Sequence, residues 1–241
     1  MSTPYSLADI DFLVKLNVSA IKIASGQLTE LPFLSYAASF NLPIYLSTGM
    51  SHFSEVLSAV ESIKYISSDI PLTVLQCTTN YPSKIEESNL NVLDTFNAIP
   101  DIKVGYSDHV KNNFACFAAV AKGARVIEKH FTLDKEMTGP DHSCSLNPTE
   151  FRDLVHGIRE IEKSLGSFIK KPSKSEELNM YGMKRSLVYS KPLTKGTKLK
   201  KDHFKFKRPF NGLSPNSIEY FIGKTINRDV NFDEIVSFEH I

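Results

Sequence analysis

One pattern limits the fold of this chain more than any other. From residue 19 to residue 166, short β-branched runs alternate with longer segments of helical spacing. "SAIKIAS" (19–25) reads as a strand and "TELPFLSYAASF" (29–40) as a helix. "PIYLS" (43–47) precedes the helical "HFSEVLSAVESIKYI" (52–66). "LTVLQC" (72–77) leads through a loop to "NLNVLDTFNAI" (89–99). "IKVGYS" (102–107) precedes "NNFACFAAVAKGA" (112–124), and "RVIEKHF" (125–131) precedes, after a long loop, "PTEFRDLVHGIREIEKSLG" (148–166). A further helix, "SLADIDFLVKL" (6–16), stands before them. Strict strand–helix alternation implies a parallel sheet, and strands that read as near-continuous apolar runs imply cover on both faces. No GxGxxG or GxxxxGK[ST] follows any strand, so the choice tilts from a nucleotide-binding open sheet towards a (β/α)8 barrel.

After Gly166 the pattern stops. "FIKKPSKSEELNMYG" (168–182) is polar and reads as a linker. Residues 183–241 have short strand-like pieces, turns at Lys195-Gly196 and Asn211-Gly212, and little helix. They read as a small β-rich domain. The expected organisation is therefore a barrel-type domain over 1–167, a linker over 168–182 and a second domain over 183–241.

Composition excludes several classes. A formal net charge of +1 gives no electrostatic case for nucleic acid or an anionic membrane. No apolar run approaches a membrane span, and the N-terminus lacks the basic-then-apolar order of a signal peptide. Three cysteines without CxxC spacing, Cys77, Cys116 and Cys144, suit a reducing compartment, so the expected location is cytoplasmic.

Polar residues close nearly every strand: Ser25, Ser47, Thr78 to Asn80, Ser107 to His109, and His130. Polar groups converging from several strand ends are what the catalytic face of a barrel displays. His109 and His130 end consecutive strands and would stand side by side, as two neutral imidazoles able to hold a divalent metal or, more simply, as two strand caps. "IKIASG" and "YLSTGM" bring Lys22, Ser25, Gly26, Ser47, Thr48 and Gly49, the hydroxyls, backbone N–H groups and ammonium that an oxyanion needs. Ordinary turn chemistry explains either motif alone. Lys22 speaks for the anion, because a lysine in a β-branched strand is costly to bury unpaired. Asp141 follows Gly139-Pro140 in a loop that can fold back over the rim, or lie solvated. Glu128 and Lys129 alternate and so face opposite sides of the sheet; Lys129 has a weaker claim on the site than His130.

Taken in order, "STPYS", "IKIASGQ", "LSTGMS", "QCTTNYP", "GYSDH", "VIEKHFTLDKEMTGPDHSCSL" and "KRSLVYSKPLTKGTKLKKDHFKFKRPFNGLSP" resemble the sialic acid synthase family, in its N-acetylneuraminate or legionaminic acid branch, across essentially the whole chain. The pseudaminic acid branch fits "GYSDH" and "GPDH" less well. The resemblance implies a (β/α)8 TIM-type barrel followed by an antifreeze-like (SAF) domain. It implies condensation of phosphoenolpyruvate with an N-acetylated mannose-type hexose to a nine-carbon 2-keto sugar acid, with release of phosphate. It implies a divalent metal, Mn2+ or Mg2+, on His109 and His130. Phosphoenolpyruvate is expected at Thr3, Lys22, Ser25, Ser47, Asn80 and Ser107, and the sugar at Tyr81, Asp141 and His130. Arg208 is expected to reach the partner's site in a domain-exchanged homodimer, held out on a stiff loop. Gln27 stands where the family commonly has Glu or Asp. Met1 to Pro4 matches the end of the family's third strand, so the expectation is an N-terminally truncated barrel holding strands four to eight. A separate N-terminal fragment then becomes an expected partner. The alternative is an inactive relative acting as a carbohydrate- or partner-binding module.

Overall fold

A computed structural model describes residues 1–241. The chain divides into two compact units, 1–166 and 167–241.

The first unit holds a five-stranded, all-parallel sheet in sequence order: β1 (Ile21–Ile23), β2 (Ile44–Ser47), β3 (Leu72–Cys77), β4 (Lys103–Asp108) and β5 (Val126–Lys129). Helices α1 (Leu7–Lys15), α2 (Leu31–Ala38), α3 (Phe53–Ile66), α4 (Val92–Asn97), α5 (Phe114–Ala121) and α6 (Pro148–Leu165) alternate with the strands. All five strands lie within the predicted runs, except that β4 continues one residue further, to Asp108. Ahead of α1, Ser2 bridges in parallel to Ile21.

Register sorts the residues by face. Lys22 pairs with Tyr45, Ser47 with Leu75, Cys77 with Ser107, and Ser107 with Glu128. Two residues further along their strands, His109 and His130 fall on the same face. The opposite face carries Ile21, Ile23, Ile44, Leu46, Leu72, Val74, Val104 and Tyr106, which pack with the helices into one core. Helix α3 inserts Val56, Ala59, Val60 and Ile63 at helical spacing, and each buried Val or Ile contributes roughly 1.5–3 kcal/mol. Helix α6 starts at a reciprocal cap: Asn147 accepts from the N–H of Glu150, whose carboxylate accepts from the N–H of Asn147. A Cβ on Gly157 would lie 2.5 Å from the Phe117 ring, so glycine is what lets α6 close on α5.

In the second unit, the expected linker is not featureless. It contains α7 (Lys174–Met183), capped by Ser173 and Glu176 but burying no residue. An apolar period was therefore absent from the sequence, and only the cap marks the helix. An antiparallel pair, β6 (Ser186–Tyr189) and β7 (Phe204–Lys207), follows. Isolated bridges and short 3-10 turns wrap a small core of Leu187, Tyr189, Leu199, Phe221, Ile226 and Val236. No helix is long and apolar enough to cross a membrane.

Candidate active site

The C-terminal ends of the five strands open onto a cavity of about 470 Å3. Its wall includes Thr3, Lys22, Ser25, Ser47, Tyr81, Ser107, His109 and His130. Eight of the ten residues singled out from the sequence thus share one space with one another in the first unit. Asn80 does not line it and is exposed. Asp141 stands at its edge, 3.8 Å from His130 Nδ1, without lining it.

The lysine side of the cavity is built by strand ends. Lys22 is buried, and its ammonium donates to Ser47 Oγ at 2.7 Å and to the Ile23 carbonyl at 3.0 Å. Glu128 lies 3.6 Å away and accepts from Ser107 Oγ at 2.7 Å. Burial pushes the Lys22 ammonium below the ordinary lysine value, and the Glu128 carboxylate opposes that shift. Gly49 donates its N–H to Ser25 Oγ at 3.0 Å. A Cβ on Gly49 would fall 2.0 Å from Thr79 Oγ1, so only glycine lets this backbone approach the two hydroxyls. Thr79 Oγ1 and Gln27 Oε1 are buried at the cavity without any hydrogen-bond partner. Such atoms are costly unless something else meets them.

The histidine side is built by β4 and β5. His109 Nδ1 sits 2.6 Å from the Thr78 carbonyl, so it carries the proton there and leaves Nε2 free to act as an electron-pair donor. The rings of His109 and His130 are 5.2 Å apart, centre to centre, and Tyr81 lies 4.2 Å from the first and 5.4 Å from the second. Burial, and then His109, holds His130 below the usual imidazole value, which favours its neutral, ligating form. The donor set fits a divalent metal: two imidazoles on one cavity wall, one with its tautomer set by a carbonyl. His130 also belongs to a second cluster, with Asp141 and Cys144, whose ligand atoms lie within 4.8 Å of one another. Cys144 is buried and donates its thiol to the Asp141 carbonyl at 3.2 Å, so it is engaged as a thiol and not free as a thiolate ligand.

Sequence reasoning gave too little weight to Glu128, which sits between Lys22 and Ser107. The signal was available, because Glu128 is two residues before His130 on one strand and so shares its face. Cys77 and Thr79, which lie in the "QCTTNYP" stretch but were given no role, also line the cavity. Arg208 lies in the second unit and is exposed, but its Nε donates to the Met183 carbonyl at 3.0 Å. This corrects the expectation of a guanidinium standing clear of its own domain: one donor is tied back to the end of α7.

A parallel sheet whose strand ends gather serines, a lysine and a histidine pair, followed by a small β-rich unit, is the arrangement that the resemblance to sialic acid synthases implies. Residues 1–170 match the NeuB family and residues 184–241 the SAF domain, and the chain belongs to the NeuB family. It is 42% identical over 237 residues to an N,N'-diacetyllegionaminic acid synthase of Campylobacter jejuni, covering 98% of this chain and 71% of that protein. The spore coat polysaccharide biosynthesis protein SpsE of Bacillus subtilis matches in structure with a TM-score of 0.66 and 32% identity, over 100% of this chain and 72% of that one. A sialic acid synthetase of Leptospira borgpetersenii, solved with citrate, matches with a TM-score of 0.69 and 33% identity, over 74% of this chain and 62% of that one.

Proposed function

We propose that this chain condenses phosphoenolpyruvate with the open-chain aldehyde of an N-acetylated, mannose-type hexose, giving a nine-carbon 2-keto sugar acid and phosphate. The observation that carries the reading is the buried Lys22 among Ser25, Ser47 and Ser107, facing the His109–His130 pair across one cavity. The names of the relatives, which are sialic-acid-type synthases, support the same chemistry.

Atom balance assigns the work. The C3 carbon of phosphoenolpyruvate forms a bond to the aldehyde carbon, whose oxygen takes a proton. Water enters at C2 and phosphate leaves. Lys22 and the serine hydroxyls hold the anion, the ammonium as a compact charge and the hydroxyls as rotatable donors. Thr3 lines the same wall, and Asn80 joins it only by a turn of the loop after β3. Glu128 keeps Ser107 and Lys22 oriented. Tyr81, His130 and Asp141 flank the space left for the sugar. His109 and His130 would hold Mn2+ or Mg2+, and a divalent ion supplies Lewis-acid polarisation of an aldehyde oxygen. Arg208 would serve the sugar's acetamido or carboxylate group in a second subunit of a domain-exchanged homodimer, with its remaining guanidinium donors.

The test is phosphate release from phosphoenolpyruvate by the purified chain with Mn2+, with and without N-acetylmannosamine. Release that depends on the sugar supports the reading. Release without sugar, or none with any N-acetylated hexose, opposes it.

A further inference from the structure

The two histidines stand beyond the reach of the backbone ladder. Pairing between β4 and β5 ends at Asp108 opposite Lys129. His109 and His130 are the next residues on each strand, with no strand-to-strand hydrogen bond between them to set their separation. The His109 carbonyl accepts from the Ser83 N–H and the His130 carbonyl from the Leu146 N–H, so each tip is tied to its own flanking segment, and the link from one tip to the other has to come from elsewhere.

On the other face of the sheet, the side chains of that last pair supply it. Lys129 Nζ lies 2.7 Å from Asp108 Oδ2, and both side chains are essentially inaccessible, at 1% and 0%. Every polar site of the pair is used. Lys129 donates also to the Val110 and Asn112 carbonyls, which belong to the loop leaving His109. Asp108 Oδ1 accepts from the Tyr106 hydroxyl at 3.0 Å and from the Val110 N–H at 2.9 Å. Its Oδ2 accepts also from the Cys116 thiol of α5 at 3.0 Å. One ammonium from β5 therefore clamps the whole turn that carries His109, and a helix behind the sheet clamps the carboxylate. A buried ion pair is poor evidence of stability, but a fully satisfied one specifies geometry.

We infer that Asp108 and Lys129 are positioning residues that set the spacing and orientation of His109 and His130 from behind the sheet, without touching substrate or metal. The inference gives this pair its use within the function proposed above and rests on that reading for the metal, though not for the geometry.

The test uses the full chain, as wild type, Lys129→Met and the double variant Asp108→Leu/Lys129→Met. The double variant removes both charges together, a change that buried pairs commonly tolerate. Circular dichroism selects the variants that fold. Two readouts follow: long-range 1H–15N spectra of the histidine rings without metal, and Mn2+ affinity by electron paramagnetic resonance. Wild type should show His109 as a single Nδ1–H tautomer. Folded variants should lose that single tautomer and bind Mn2+ more weakly by about tenfold or more, the usual loss when groups behind a ligand are removed. A folded variant that keeps the tautomer, with Mn2+ affinity within about twofold of wild type, would overturn the inference. If Lys129→Met does not fold, the double variant decides by the same two outcomes. If wild type binds no Mn2+, the metal reading fails, and the tautomer alone still decides the role of the pair.

Discussion

Replacing Lys22 by methionine separates function from stability. The side chain keeps much of its length and loses its charge. Lys22 makes its hydrogen bonds at 2.7 and 3.0 Å inside the protein, with a Glu128 oxygen at 3.6 Å. A hydrogen bond from a charged donor to a bound anion is worth about 1.5–3 kcal/mol. The dissociation constant for phosphoenolpyruvate should therefore rise roughly 10- to 150-fold. Stability should stay near level, because relief from burying the ammonium offsets the donors lost to the buried Ser47 hydroxyl and Ile23 carbonyl. The Glu128 side chain is 38% exposed and can turn to water, so little is lost on its side. The methionine removes the cost of burying an ammonium, the main reason the Lys22 pKa is depressed. A depressed lysine pKa means a native-state cost that is complete below the folded value and disappears above the unfolded value near 10.5. Any advantage in melting temperature held by Lys22→Met should thus shrink as pH rises through the folded value. Titration calorimetry and melting curves of both proteins read the two effects. Unchanged affinity for phosphoenolpyruvate, or a melting temperature several degrees lower at neutral pH, would refute the reasoning.

Three further outcomes follow from the structure. Gly49→Ala should displace Ser25 and Thr79, because the added methyl would lie 2.9 Å from Ser25 Oγ and closer still to Thr79; calorimetry should show weaker phosphoenolpyruvate binding, at a stability cost of about 1–3 kcal/mol. His240 is buried, and burial followed by Arg228, which donates to its Nε2 at 2.8 Å, holds its pKa below the imidazole norm. The stability this contributes is present above the ordinary value near 6.5 and lost as pH falls through the folded value, so His240→Gln should flatten the acid side of the melting curve, leaving the slope from His203 and His130, which are shifted the same way. Mixing inactive Arg208→Ala and His130→Ala chains should restore part of the synthase rate if Arg208 serves a partner's site, since a mixed dimer has one site with both residues, and no recovery after demonstrated subunit exchange would return Arg208 to its own unit.

Much of the first unit was legible because its signals are local. "LTVLQC" is mostly apolar and carries no charge, and all six residues of β3 are buried. Pro148 and Thr149, with Glu150 in the first turn, mark the start of α6 in the sequence, and the structure adds the Asn147 cap. The site was legible where a motif ended a strand, as at Lys22, Ser47, His109 and His130. It was less legible where the role depends on the face. Glu128 and Lys129 look alike in sequence as an alternating charge pair. Register sends the first into the cavity and the second behind the sheet, where it meets Asp108. Helix α7 buries nothing and so left no period to read. The Arg208 tether depends on a carbonyl 25 residues away, which no local pattern encodes.

The central claim is that one cavity holds phosphoenolpyruvate on Lys22, Ser25, Ser47 and Ser107 and a divalent metal on His109 and His130. A crystal of the chain soaked with Mn2+ and phosphoenolpyruvate, with data collected at the manganese edge, tests it in a single map. The account predicts an anomalous peak within bonding distance of His109 Nε2 and a His130 ring nitrogen, with the phosphoenolpyruvate anion on the Lys22 ammonium. A peak at His130, Asp141 and Cys144 that leaves His109 unligated, or phosphoenolpyruvate bound away from Lys22, would contradict it.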